Sequence, residues 1–188
     1  MCYLLDGVTH WMEGAQRGYK IKGFPMNFSC GDDVVHQRFG VGTIVSIEEM
    51  EFGGDGPCVY YRVDFGKTTL WVPVKIPKSR GLRPVTPKRD LARYRSVLES
   101  RPVHLNDNFR KRQSELEDRM DHGTFQALCE VVRDLSARNR EKVLSNYELT
   151  LLRRTRAAMD SEWARSSNLS MIHAVDEIDA LLRKGRQR

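Results

Sequence analysis

Residues 131–156 read VVRDLSARNREKVLSNYELTLLRRTR, and they mark the second half of the chain as helical. It holds the end of one amphipathic helix, a short turn and the start of another. Phe125, Leu128, Cys129, Val132 and Leu135 fall at offsets 0, 3, 4, 7 and 10, the spacing of one buried helical face. Thr124 stands where an N-cap belongs. Ser145 and Glu148 have capping-box spacing, in which the hydroxyl accepts from the third helical amide and the carboxylate reaches back to the cap amide. Leu149, Leu152, Met159 and Trp163 carry that next helix onward.

Outward from this stretch the pattern stays helical. Met171, Ala174, Val175, Ile178, Leu181 and Leu182 mark a last helix. Upstream, Thr86 as cap and Pro87 as first residue open a helix with Leu91, Tyr94 and Leu98 on one face, and Arg101-Pro102 stops it. Asn106 or Asp107 is the expected cap of a second helix running to about Met120, and His122-Gly123 ends it. Five amphipathic helices joined by short connections predict a compact bundle over residues 87–185.

Residues 26–76 read differently. Gly31-Asp32-Asp33 and Phe39-Gly40-Val41-Gly42 are turns around Val34-Val35. Thr43–Met50 alternates imperfectly, with Ile44 and Ile47 apolar. Phe52–Pro57 is a strong turn signal, after which Val59–Phe65 sets Tyr61, Val63 and Phe65 against Arg62 and Asp64. Thr68–Val74 follows a Gly66-Lys67 turn. Short strands at this spacing predict a small five-stranded barrel of SH3-like or Tudor-like form, so the whole chain is expected to be α+β. Residues 77–86, PKSRGLRPVT, read as a linker. Residues 1–25 show no sustained period and are expected to be a disordered extension, with a short amphipathic helix around Tyr3–Met12 as the alternative.

Charge is uneven. The 188 residues hold 31 Lys and Arg against 25 Asp and Glu, a net +6, of which residues 1–86 carry +1 and residues 87–188 carry +5. A polyanionic partner therefore suits the C-terminal half. Cys2, Cys30, Cys58 and Cys129 form no CxxC pair, and the five histidines form no HxH or HExxH, so neither a zinc site nor a catalytic metal is expected. The cysteine usage suits a reducing cytosol. No apolar run approaches the roughly 18–20 residues of a membrane span. Nucleotide-binding and nucleophile-elbow motifs are lacking, so the chain is expected to be no enzyme and to use no cofactor.

One helix start is chemically odd. Phe109-Arg110-Lys111-Arg112 puts three cations at the positive end of a helix, each costing roughly 0.3–1 kcal/mol when exposed. An anionic partner would turn that cost into attraction, and an exposed aromatic beside it could stack on a base. Pairing with Glu115, Glu117 and Asp118 inside the helix, and packing of Phe109 into the bundle, are the competing readings. Arg153-Arg154 and Arg156 read as a solvated face. Arg133 and Asp134, adjacent on a helix, are expected to point apart.

Val131-Val132-Arg133-Asp134-Leu135, Leu144-Ser145 and Glu148 resemble the C-terminal domain of the CarD/CdnL family of bacterial transcription regulators. The pattern Gly31-Asp32-x-Val34-Val35-x4-Gly40-Val41-Gly42-x-Ile44-x-x-Ile47-Glu48 resembles the opening of that family, as do Tyr60-Tyr61, Val72-Pro73-Val74 and Gly81-Leu82-Arg83. The likeness runs over about residues 26–183. It implies that the barrel binds the RNA polymerase β subunit through a strand edge, here with Met50, Trp71, Val72 and Pro73. It implies that the helical domain contacts promoter DNA through its minor groove and phosphate backbone, here with Asn108, Phe109, Arg110, Lys111 and Arg112. Modulation of open-complex stability by a monomer in the bacterial cytoplasm and nucleoid follows from the same likeness. The family's wedge tryptophan is missing, since the tryptophans are 11, 71 and 163 and the wedge position falls on Asn108 or Phe109. Phe109 can substitute with less stacking area, whereas Asn108 cannot wedge. A polymerase-bound adaptor that recruits another protein without touching DNA is the alternative.

Overall fold

The computed structural model describes residues 28–51, 56–75 and 81–187, and the chain divides between Pro84 and Val85. The expectations for residues 1–25 lie outside the described residues. The fold is α+β: a five-stranded antiparallel sheet followed by five α-helices.

The first unit contains β1 (Asp33–His36), β2 (Gly40–Glu51), β3 (Pro57–Asp64), β4 (Thr69–Pro73) and β5 (Leu82–Pro84), in the order β4-β3-β2-β1-β5. Strand β5 pairs with β1 and lies inside the segment expected to be a linker. Its three residues, with Pro84 at one end, are too short and too poorly patterned to read as a strand. Ile44 stands opposite Val63 but Ser46 opposite Arg62, so Val45 is the extra residue of a β-bulge. That bulge explains the imperfect alternation, because it returns Ile44 and Ile47, three residues apart, to one core. Val34, Tyr61, Val63, Leu70 and Val72 complete the same core. Gly42 has no room for a side chain: a Cβ there would lie 2.7 Å from the Phe65 ring.

The second unit opens with a 3-10 turn, Lys88–Asp90, followed by α1 (Leu91–Leu98), α2 (Phe109–Asp121), α3 (Phe125–Glu141), α4 (Asn146–Ser167) and α5 (Met171–Arg186). Thr86 is not a helix cap. The 3-10 turn starts after Pro87 with no side-chain cap, and the Thr86 amide and hydroxyl instead both donate to the buried Glu162 carboxylate, at 3.1 and 2.7 Å. Asn108 rather than Asn106 or Asp107 caps α2, its Oδ1 accepting from the amides of Arg110 and Lys111. Thr124 caps α3, and Ser145 with Glu148 forms the complete capping box of α4.

Helix α3 is buried on two sides. Phe125, Leu128, Cys129 and Val132 face a core shared with α1, α4 and α5, in which Trp163 and Met159 are wholly enclosed. Val131 and Leu135 face a second core shared with α2 and α4. Burial pushes the Cys129 thiol far above its ordinary value, consistent with a small core hydrophobe. At the end of α5, Gly185 allows backbone contact, since a Cβ there would meet the Leu98 carbonyl at 2.7 Å.

Candidate functional site

In the first unit, the sheet register sorts the expected contact residues. Arg62 stands opposite Trp71 and Tyr60 opposite Pro73, and across the other side Tyr60 meets Glu48 and Cys58 meets Met50. Met50, Trp71 and Pro73 therefore share the outer face of the sheet. Val72 does not: it is 1% exposed and belongs to the core, because alternation turns it opposite to Trp71. The Val72 side chain is therefore absent from that outer face, and only its backbone lies along the strand.

Trp71 is held by a polar row that spacing along the chain did not reveal. Its indole Nε1 donates to Glu48 Oε2 at 3.0 Å, while Ser46 Oγ and Arg62 donate to Oε1 at 2.5 and 3.4 Å. Partial burial pushes the Glu48 carboxyl upward, but these donors and the Arg62 charge outweigh it and hold the group below the usual carboxylate range. Among the described residues β4 pairs on one side only, so its other edge presents backbone donors and acceptors.

In the second unit the start of α2 projects one aromatic and two cations. Phe109 is 44% exposed and does not enter either core. The Arg112 guanidinium lies 5.9 Å from its ring centroid. Arg110 and Lys111 are exposed and carry no side-chain ion pair or hydrogen bond among the described residues. The competing pairing with Glu115, Glu117 and Asp118 does not occur among the described residues: Gln113 takes Glu117, and the Asn106 amide lies 3.4 Å from Glu115. No acidic residue sits in the first turn to satisfy the helix dipole.

Arg112 leaves this exposed set. It is 6% exposed, and its Nε donates to Glu148 Oε1 at 2.5 Å while Nη1 donates to the carbonyls of Asn106 and Asp107. The guanidinium is turned inward because a buried carboxylate 36 residues away needs a counter-charge. Lys142 binds Asp107 at 2.7 Å from the other side. The loop ahead of α2 is thus pinned to α3 and α4, and Asn108 is committed to capping.

The far end of α2 is anchored as firmly. Arg119 donates to Asp134 Oδ2 at 2.9 Å, and Asp134 Oδ1 accepts from Arg133 Nε at 2.7 Å and from the Val103 amide at 2.9 Å. Arg133 and Asp134 therefore pair, against expectation. Both side chains converge on residues 97–103, where Arg133 also binds the Val97 carbonyl and Ser100 Oγ. Arg156 likewise bridges Asp160 and Asp179. Among the described residues no group of His, Cys, Asp and Glu is placed to hold a metal, and no helix is long and apolar enough to cross a membrane.

Two family models match this chain. The CarD-like/TRCF RID domain matches residues 28–86, and the CarD C-terminal domain matches residues 93–179. The chain belongs to the CarD-like family. The first model closes on β5, so this CarD-like chain carries the entire sheet within its N-terminal module. The second runs from α1 into α5 and contains the whole of α2. A protein of Bacillus subtilis (strain 168) named "Putative transcription factor YdeB" is 29% identical over 126 residues, which are 66% of this chain and 82% of that one. The family assignment supports a role in transcription regulation for this CarD-like chain.

Proposed function

We propose that this CarD-like protein is a non-enzymatic regulator of transcription initiation that joins RNA polymerase to promoter DNA. The sheet takes the polymerase β subunit along the open edge of β4, with Trp71 as anchor and Met50 and Pro73 beside it. Backbone pairing supplies affinity and the outward side chains supply selectivity. The helical unit meets promoter DNA with the start of α2: Phe109 against the bases, Arg110 and Lys111 against phosphates, Asn108 holding the helix start in shape. The bound DNA changes the stability of the open complex.

One observation carries this reading. An exposed aromatic and two unpaired cations stand at the positive end of a helix with no acid in its first turn. That arrangement opposes stability in the free protein and favours a phosphate-bearing partner. The adaptor reading draws on a different one: no tryptophan stands at this tip, and Phe109 offers less stacking area.

Salt dependence separates the two. Each phosphate contact contributes a slope of about −0.9 in log K against log salt for duplex DNA. For promoter-fork DNA titrated from 50 to 200 mM salt, the Arg110→Ala/Lys111→Ala variant is expected to lose roughly two units of slope. An unchanged slope favours the adaptor. On the sheet, Trp71→Ala is expected to weaken binding to a β-subunit fragment by roughly tenfold or more, with circular dichroism confirming a folded chain. Equal binding by that variant would remove Trp71 as the anchor.

A further inference from the structure

A second concentration of positive charge lies on the helical unit, away from the first turn of α2. A cavity of about 670 Å³ opens where the α1–α2 connection meets the C-terminal ends of α3 and α5. Arg101, His104, Arg138, Arg140 and Arg186 line it, and Arg183 lines an adjoining recess that shares Arg140 and Arg186. The volume lies in the range of small-ligand sites. Val103 and Leu105 give it a partly apolar wall.

Cations at helix C-termini are ordinary, because they complement the dipole. Here two C-termini converge and their cations face one another. Arg101, Arg140 and Arg183 carry no ion pair or hydrogen bond among the described residues. The nearby acids are largely committed elsewhere: Asp134 to Arg119 and Arg133, Asp179 to Arg156, Glu99 to Lys184. Glu141 on the wall is one carboxylate against several guanidiniums. Arg138 is only 12% exposed and is ion-paired at 3.8 Å with both Glu148 and Asp107, although its buried Nε has no hydrogen-bond partner, so it lines the wall while Arg101, Arg140 and Arg186 remain available. Burial, then repulsion from Arg140 and Arg183, draws the Arg186 guanidinium below its ordinary value, with Asp179 pulling the other way.

We propose that this cavity is a phosphate-binding site, taking a ligand with two or more phosphate groups between Arg101, Arg140 and Arg186. Planar guanidiniums bind phosphate oxygens in pairs, and several donors arriving from three segments match a multiply charged oxyanion better than a single carboxylate. The inference stands whether or not the chain engages polymerase. The phosphates come either from a free polyphosphate-type ligand or from a nucleic-acid backbone, and the chemistry recognised is the same.

The test titrates sodium tripolyphosphate and, separately, a short duplex DNA into the full chain, into Arg140→Gln/Arg186→Gln and into Arg110→Gln/Lys111→Gln. Saturable tripolyphosphate binding that weakens roughly tenfold or more in Arg140→Gln/Arg186→Gln, and holds in the α2 variant, identifies a free phosphate ligand. Loss confined to the DNA titration identifies a backbone phosphate. If neither titration responds to Arg140 and Arg186, the proposal is overturned. Thermal unfolding keeps the variant interpretable: relief of repulsion should leave its Tm without ligand equal to or above that of the parent. A lowered Tm together with unchanged binding would make these arginines structural and would also overturn it.

Discussion

Replacing Arg112 by Met is expected to cost the helical unit about 3–5 kcal/mol, the penalty for stranding a buried charge whose partner is removed. Glu148 is 1% exposed, and its Oε1 accepts the 2.5 Å hydrogen bond from Arg112 Nε. Burial alone would raise the Glu148 carboxyl, but Arg112 and the Ser145 donors outweigh it and hold the group below the usual carboxylate range. A depressed native pKa contributes stability above the unfolded value of about 4.3 and loses it as pH falls through the native value. Without Arg112 the burial influence gains, so protonation relieves the variant as pH falls. Urea unfolding at pH 7 and pH 4 should therefore show the gap between parent and variant narrowing at the lower pH. A constant gap would mean that Arg112 acts by packing alone. The double variant Arg112→Met/Glu148→Leu should recover most of the loss, short of about 1 kcal/mol, because Glu148 also completes the capping box of α4.

Asp134→Ala should be of similar size, about 3–5 kcal/mol, for a related reason. The carboxylate is 1% exposed and takes three donors: Arg133, Arg119 and the Val103 amide. Arg119 is partly exposed and can return to water, so its loss matters least. Arg133 is enclosed and keeps only the Val97 carbonyl and Ser100 Oγ, while the Val103 amide loses its acceptor. Asp134→Asn, which keeps the shape and one acceptor, should fall between the parent and Asp134→Ala in chemical denaturation. Equal stability of all three would show that the network is not held as described.

These two networks mark where sequence reasoning stops. The stripe of α3 and the caps Thr124 and Ser145 were legible because they rest on neighbours three or four residues apart. Arg112 and Glu148 are 36 residues apart, and only the packing of α2 against α4 brings them together. Three residues able to cap, Asn106, Asp107 and Asn108, stand in a row, and spacing alone did not select the last. Arg133 and Asp134 broke the neighbour rule because the segment 97–103 supplies partners to both. In the sheet, alternation separates Trp71 from Val72, yet the likeness to CarD-like chains pointed to the contiguous block 71–73. Glu48, Tyr60 and Arg62, which share the outer face with Trp71, became visible only through cross-strand register and its bulge. Of the expected DNA-facing set, Phe109, Arg110 and Lys111 are exposed, Asn108 is a cap, and Arg112 is internal.

The proposed function requires the start of α2 to act on promoter DNA while the chain is joined to polymerase. The most direct test is the lifetime of the promoter open complex formed by the cognate polymerase, measured alone, with the parent chain and with Phe109→Ala. Stacking of one aromatic on a base contributes about 1–3 kcal/mol, so the parent chain should alter the lifetime and Phe109→Ala should reduce that effect roughly fivefold or more. An unchanged lifetime with a parent chain that demonstrably binds polymerase, or an undiminished effect from Phe109→Ala, would contradict it.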